Sequence, residues 1–328
     1  MNVLSLFDGI SCGQLGLQRA GKRIGKYFAS EINPFSIKVT QHHFPHTIQL
    51  GDVLGLTERH LAKLPKIDFI MAGSPCQDLS IAKKGCKYLD GEKSKLFFEF
   101  IRIRNWIKEN NNPDVLFFFE NVKTIPDILE IMTGHIEVEP IRLNSVLVSA
   151  QRRDRFYWTN IEGVTPPEDR GLKIRDIVYD NNFEVFQDER IEATKIFTKN
   201  YVKWDIAGKG HFSQQDRAFY LDGTMGTIPK AYPIYKMNIY LGDDKYRRCH
   251  PIEAERLQTL PDNYTEMIES RTTRIGVIGD GFTVDLVAHI FRNIQIDEPD
   301  FDFNHDDMEL PFHEQFYCHD DNSYFSEQ

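Results

Sequence analysis

Short apolar runs alternate with amphipathic stretches over residues 1–160. This rhythm predicts buried strands joined by helices, hence a mainly parallel α/β sheet. Residues 2–7 read as the first strand, followed by a glycine-punctuated turn and a helix ending near Ala20. Further strands are expected at 27–30, 48–51, 67–72 and 115–119, with helices over 34–43, 57–63, 94–110 and 124–134. Residues 142–150 and 155–159 should be extended too, as an antiparallel pair at the sheet edge. From Asn160 to about Asn263 the rhythm lapses into turns, charges and scattered aromatics, the pattern of a smaller irregular domain with some β structure. Within it, residues 251–260 read as a short helix, and an apolar helical pattern returns over 275–294. The expected organisation is a first domain over 1–160, a smaller one over 161–265, a return to the first over 266–296, and a tail over 297–328.

Composition changes this picture little. The 328 residues are 41% hydrophobic and 27% charged, an ordinary globular balance. No run approaches the roughly 20 apolar residues of a membrane span, and the amino terminus enters a strand with no basic region before it, so no signal peptide is expected. Five cysteines (12, 76, 86, 249 and 318) form no Cys-x-x-Cys pair, which disfavours a zinc site or a disulfide framework; no metal is expected. Charge alters more. The net −10 is uneven, because residues 297–328 hold eleven acids and no Lys or Arg, leaving residues 1–296 at +1. Local basic clusters, and not the global charge, decide what such a body binds.

Candidate chemistry sits where strands end, since ligands of open α/β sheets lie beyond the carboxyl ends of the strands. Gly73-Ser74-Pro75-Cys76 ends the apolar strand before it and puts a single thiol at the tip. By itself that is a small buried cysteine or a nucleophile. Phe7-Asp8-Gly9 closes the first strand with a tight turn, Glu31 closes the second, and Asp52 follows the third. A glycine turn with two strand-end acids suits a nucleoside cofactor, the first acid accepting from ribose hydroxyls and the second from an adenine amine. Glu120 follows Phe117-Phe118-Phe119, where desolvation would let it carry a proton near neutrality. Arg153 and Arg155, two apart in an extended segment, are expected on one face, as a clamp for a carboxylate, a phosphate or a developing charge.

Taken in order, Phe7-Asp8-Gly9, Gly73-Ser74-Pro75-Cys76-Gln77, Glu120-Asn121-Val122, Gln151-Arg152-Arg153-Asp154-Arg155, Pro251 to Pro261 and Gly279-Asp280-Gly281-Phe282-Thr283-Val284 resemble the motifs of DNA (cytosine-5) methyltransferases. The resemblance runs from residue 3 to about 294, and its style is nearest the de novo DNA methyltransferases. It implies a Rossmann-like S-adenosylmethionine-dependent methyltransferase sheet, with 160–245 in the position of the target-recognition domain. It implies methylation of cytosine carbon 5 in double-stranded DNA by a prokaryotic or phage enzyme of the cytoplasm, acting alone or within restriction-modification. Cys76 would add to carbon 6 of a flipped base, Glu120 would hold ring nitrogen 3 and the exocyclic amine, and Arg155, with Arg153 beside it, would orient the carboxylate and the base carbonyl. Phe7, Asp8, Gly9, Glu31, Ile32, Asp52, Val53, Pro75, Leu96 and Phe282 match positions around the cofactor.

Asp280 departs from the pattern, which has Asn or Arg there, and is carried as a cofactor contact. Lys83, Lys84, Lys87, Lys93 and Lys95 would grip phosphates over the closed DNA. Base readout is expected among Lys195, Lys199, Lys203, Lys209 and Arg217, interleaved with Phe197, Tyr201 and Trp204. Phe97, Phe98 and Phe100 resemble a self-association surface, and a homodimer is one expectation, membership of the core the other. Two further functions stand beside the leading one. An RNA cytosine methyltransferase would carry a Cys-Phe-Thr tripeptide, which does not occur in the chain; a non-catalytic paralogue would have lost Cys76, Glu120 or Arg155, all of which are present.

Overall fold

The computed structural model describes residues 1–74, 95–179, 186–187, 194–205, 217–229, 237–243 and 245–296. Pro75, Cys76, most of the lysine-rich loop, Lys209 and the acidic tail lie outside the described residues. The chain divides into Met1–Gln295 and Ile296–Gln328, and every element below belongs to the first unit.

Four strands, β1 (Val3–Leu6), β2 (Tyr27–Ser30), β3 (Ile48–Gln49) and β4 (Phe69–Ala72), run parallel to one another and to β5 (Leu116–Val122). β1, β2 and β4 are buried at all four of their positions, which is why their sequences are continuous apolar runs and not alternating ones. Between them lie α1 (Cys12–Arg19), α2 (Pro34–His43), the short α3 (Glu58–Leu61) and α4 (Lys95–Asn110). α5 (Pro126–Ile136) then leads to β6 (Ile141–Asn144) and β7 (Asp154–Thr159). The sheet order is β3-β2-β1-β4-β5-β7-β6, with β7 antiparallel to both neighbours. The order reverses between β1 and β4, so a crevice opens at their carboxyl ends, where the Phe7 turn and Gly73 emerge.

The Phe97–Phe100 stretch belongs to the core. Phe97 and Phe100 are fully buried and pack on Phe119, at ring-centroid separations of 5.5 and 4.6 Å, while Phe98 is 37% exposed. Of the two expectations for this stretch, membership of the core holds for Phe97 and Phe100.

A second sheet has the order β8 (Phe186–Gln187), β13 (Lys245–Arg248), β12 (Asn238–Gly242), β11 (Arg217–Tyr220), β10 (Tyr201–Asp205), β9 (Thr194–Phe197). It is antiparallel except between β11 and β12. Its register sets Lys203 opposite Arg217, and the Arg217 guanidinium lies 4.8 Å from the Tyr201 ring centroid. Phe219 and Ile239 share a hydrophobic cluster with Ile10, Cys12 and Val39 from the large sheet and its helices, and with Ala254 and Leu257 of α6 (Pro251–Leu257). The smaller sheet is therefore welded to the body through α6.

The helical pattern over 275–294 resolves into two helices, α7 (Arg271–Asp280) and α8 (Val284–Phe291), broken at Gly281. A Cβ at Gly281 would stand 2.6 Å from Cys12 Sγ, so only glycine lets the chain pass there. α8 then lies on α1, tied by Arg19 Nη1 donating to Asp285 Oδ1 at 2.7 Å, and Phe291 meets Phe69 and Phe118 edge-on. Among the described residues no helix is long and apolar enough to cross a membrane.

Candidate active site

β5 is longer than its apolar run predicts, so Glu120 sits within the strand and not past its end. Its antiparallel register with β7 pairs Glu120 with Tyr157 and Val122 with Arg155. Glu120 and Arg155 are thus diagonal neighbours on one face, within reach of long side chains. Arg155 Nε lies 2.8 Å from Glu120 Oε1, with the side chains 11% and 10% exposed. The Nε–H is not aligned as a hydrogen bond. The contact is therefore Coulombic, and it keeps a nearly buried carboxylate from standing alone. Burial, with Glu120 nearby, pushes the Tyr157 hydroxyl well above its usual range.

Gly73 and Phe282 complete this corner. A Cβ on Gly73 would lie 2.8 Å from Phe282 Cε1 and 3.5 Å from Glu120 Oε2, so the strand end carries no side chain because the ring and the carboxylate already occupy that space. Phe282 also meets Phe118 edge-on at 5.5 Å. Next to Gly73, the buried Ser74 accepts from Asn121 Nδ2 at 3.0 Å.

Arg153 takes another path. It lies before β7, 5% exposed, and its guanidinium donates to the carbonyls of Gly279 and Gly281, both at 3.1 Å. Two residues' spacing in an extended segment places Cα atoms, but the chain ahead of β7 is not strand, so the two arginines reach different groups. Arg153 supports the loop that carries Phe282.

The cofactor turn has three left-handed residues in five: Phe7 (φ 58°), Gly9 (φ 61°) and Ser11 (φ 55°). For the two non-glycine residues this costs roughly 1–2 kcal/mol each, so the turn must be held from outside. Glu31 does part of this, accepting Gly9 N at 2.7 Å on Oε2 and the amides of Ile32 and Asn33 at 2.8 Å on Oε1. Tyr264 does another part, donating its hydroxyl to Ile10 O at 2.9 Å while its ring stacks on His43. Asp8, expected to face the cofactor, turns its side chain inward: it is buried and accepts from Ser11 Oγ and, at 2.7 Å, from the Tyr27 hydroxyl. Burial is the main cause that raises its carboxyl to about 6; the Ser11, Ser5 and Tyr27 hydroxyls pull the other way.

At the next strand ends, Ile32 is 69% exposed, while Val53 is buried at 3% in the main core and Leu54 beside it is 60% exposed. Asp52 is exposed and caps the short turn after it, accepting Leu54 N at 3.0 Å. Val53, matched to the cofactor positions by the resemblance, turns its side chain into the core, and the exposed aliphatic side chain beside Asp52 is that of Leu54. Two exposed aliphatic side chains, the carboxylates of Glu31 and Asp52, and open space over Gly9 suit a flat base on a sugar with hydroxyls. Glu31 has three acceptor positions in use, and a carboxylate offers about four, so one is left for a ligand. Leu96 packs against the main core at the start of α4, and Asp280 is exposed at the end of α7.

Gln258 was not singled out by the sequence. Fully buried, its Nε2 donates to Ile278 O (3.1 Å) and Gly281 O (2.9 Å), and its Oε1 accepts from Gln151 Nε2 (3.1 Å) and Thr283 Oγ1 (2.7 Å). One amide thereby joins the end of α6, the segment before β7 and the Phe282 loop.

A family profile described as C-5 cytosine-specific DNA methylase matches residues 1–128 and 148–296. The type II methyltransferase M.HhaI of Haemophilus parahaemolyticus is 25% identical over 326 residues, covering 90% of this chain and 94% of that one. The type II methyltransferase M.NlaX of Neisseria lactamica is 25% identical, covering 80% and 86%. In fold, the chain is similar to the Dnmt2 methyltransferase of S. pombe, with a TM-score of 0.67 at 16% identity, covering 89% of this chain and 97% of that one.

Proposed function

The chain belongs to the C-5 cytosine-specific DNA methylase family, and on that premise we propose that it methylates carbon 5 of cytosine in double-stranded DNA with Cys76 as nucleophile. The observation that carries this reading is the Glu120–Arg155 ion pair, set beside Gly73 and Phe282 at the strand end that leads into Pro75-Cys76. A cytosine within a duplex is out of reach, so the base must be flipped into this corner. S-adenosylmethionine, when bound, supplies the electrophilic methyl group. Phe7, Gly9, Glu31, Ile32, Asp52 and Leu54 would hold its nucleoside, with the backbone of Asp8 and Val53 alongside.

The Cys76 thiolate adds to carbon 6, and the electron pair this releases makes carbon 5 nucleophilic. Carbon 5 would take up the methyl group with that pair, the donor sulfur keeping the electrons of the broken sulfur–carbon bond, while ring nitrogen 3 carries the charge that develops. Glu120 would hold that nitrogen and the exocyclic amine and supply a proton as charge develops, and Arg155 would keep Glu120 oriented for it. Loss of the proton on carbon 5 re-forms the ring double bond and expels the thiolate. Arg153 acts at one remove by fixing the Phe282 loop. Where the substrate is genomic DNA, the enzyme works in the bacterial cytoplasm or an infected host's nucleoid, within restriction-modification or alone.

Tritiated-methyl transfer tests this. Wild-type protein is expected to label duplex DNA and leave transfer RNA unlabelled, while Cys76→Ala abolishes labelling but still binds S-adenosylhomocysteine. Labelling by the variant, or labelling of RNA in place of DNA, refutes the proposal. Bisulfite sequencing of DNA from expressing cells then reads the target context.

A further inference from the structure

Of the six arginines in 142–175, one keeps its charge unpaired. Arg142, Arg170 and Arg175 meet Asp154, Asp285 and Asp222, Arg155 meets Glu120, and Arg153 is tied to two carbonyls. Arg152, between the buried Gln151 and the buried Arg153, is exposed. Among the described residues its guanidinium has a single partner: Nε donates to Thr224 Oγ1 at 2.9 Å, and both terminal nitrogens are left over. That partner is itself fixed. The buried Thr224 exchanges two bonds of 2.7 Å between its backbone and the Asn200 side chain. Its hydroxyl donates to Asn200 Oδ1 at 3.4 Å, which turns a lone pair toward Arg152. The Arg152 backbone is held to the same loop, its N donating to Met225 O and its O accepting from Thr227 Oγ1, both at 2.8 Å. This loop follows β11 of the smaller sheet, and Arg152 precedes β7 of the larger one. The guanidinium therefore stands at the seam of the two sheets, with at most about 10 Å of chain between it and Arg155.

We propose that Arg152 grips a backbone phosphate of the DNA strand whose base enters the Glu120–Arg155 corner. The inference rests on the reading of the chain as a DNA methyltransferase and adds a phosphate contact to it. A guanidinium meets a phosphate through two parallel N–H bonds, and with Nε given to Thr224 the two terminal nitrogens still form such a fork. No carboxylate among the described residues pairs with Arg152, so its charge is available to a phosphate. Tying Nε to a fixed hydroxyl removes much of the side-chain freedom before the ligand arrives, so less is lost on binding. A grip of this kind carries no sequence information. It sets the position of the strand relative to the corner where the base reacts.

Anisotropy titration of the full chain with a fluorescent DNA duplex, between about 50 and 200 mM salt, reads the grip without turnover. Each phosphate contact contributes about 0.9 to the slope of log affinity against log salt. Arg152→Gln is therefore expected to flatten the slope by about that much and to weaken binding about tenfold at the low-salt end. Arg152→Met gives the same reading should the Gln variant not fold. Thr224→Val keeps the charge and loses the tie, so affinity should fall roughly threefold while the slope holds. A role confined to the structure of the seam would weaken binding equally at every salt concentration, so an unchanged slope in Arg152→Gln overturns the inference. Weaker binding of S-adenosylhomocysteine by Arg152→Gln overturns it too, because the guanidinium would then serve the cofactor's carboxylate. If the wild type does not bind duplex DNA, the DNA reading fails with it; a steep wild-type slope left intact in Arg152→Gln removes the inference alone.

Discussion

Replacing Gln258 by glutamate exchanges one atom and should be the more damaging of two substitutions at that site. The amide is fully buried and uses both its donors and both its acceptor positions: it gives to Ile278 O and Gly281 O and takes from Gln151 and Thr283. In Gln258→Met all four bonds go, but each partner keeps another. Ile278 O still accepts from Gly281 N, Gly281 O from Arg153, Gln151 Nε2 still donates to Leu257 O, and Thr283 remains with Ser145. Net hydrogen bonds are worth about 1 kcal/mol each, and the larger penalty comes from groups left unsatisfied, so Met should cost roughly 1–3 kcal/mol. Gln258→Glu keeps the acceptors but turns a carboxylate oxygen toward two carbonyls. An unpaired buried charge costs about 3–5 kcal/mol. Urea unfolding of both variants, followed by tryptophan fluorescence and by circular dichroism, measures the difference. Glu is expected to be about 2 kcal/mol less stable than Met, with equal m-values. Equal stability, or a more stable Glu variant, would show that the side chain does not make these four bonds.

Two other perturbations are sharp. Gly73→Ala places a methyl 2.8 Å from Phe282 Cε1 and 3.5 Å from Glu120 Oε2, so the ring must yield; transfer should drop at least about tenfold while cofactor binding falls less, and unchanged single-turnover rates would contradict the packing described. The Asp8 carboxyl, at about 6 in the folded chain against 3.8 when exposed, binds protons more readily folded than unfolded. It therefore destabilises the ligand-free protein above pH 6, by about 3 kcal/mol, and that penalty fades as pH falls toward 4. Asp8→Asn should accordingly match or exceed wild-type stability at pH 7.5, with the wild type gaining on it at pH 5.5; denaturant midpoints showing the opposite trend would exclude this sign.

Much of the sheet that carries the candidate site was legible in the chain. β1, β2 and β4 were visible because strands buried on both faces read as unbroken apolar runs, and the turn residues after them mark where a cleft must open. Glu31 and Glu120 could be singled out because a carboxylate at the end of such a run needs a reason to be there. The order of motifs then identified the family, which the family profile supports independently.

What lay beyond the sequence was the partner of each group. The antiparallel register of β7 on β5 decides that Arg155 reaches Glu120, and the non-strand path before β7 sends Arg153 to Gly279 and Gly281. The break at Gly281 comes from Cys12, far away in sequence, and no local periodicity could announce it. Val53 and Leu54 are equally apolar, and only the packing of the core settles which one is left outside. The same holds for Asp8, whose position promised a ligand contact until Ser11 and Tyr27 claimed its oxygens. Periodicity records how deeply each position is buried, a property of one residue and its neighbours in the chain. Which buried polar groups meet depends on bringing together segments a hundred or more residues apart, as when Gln151 meets Gln258, and that is decided when the whole fold closes.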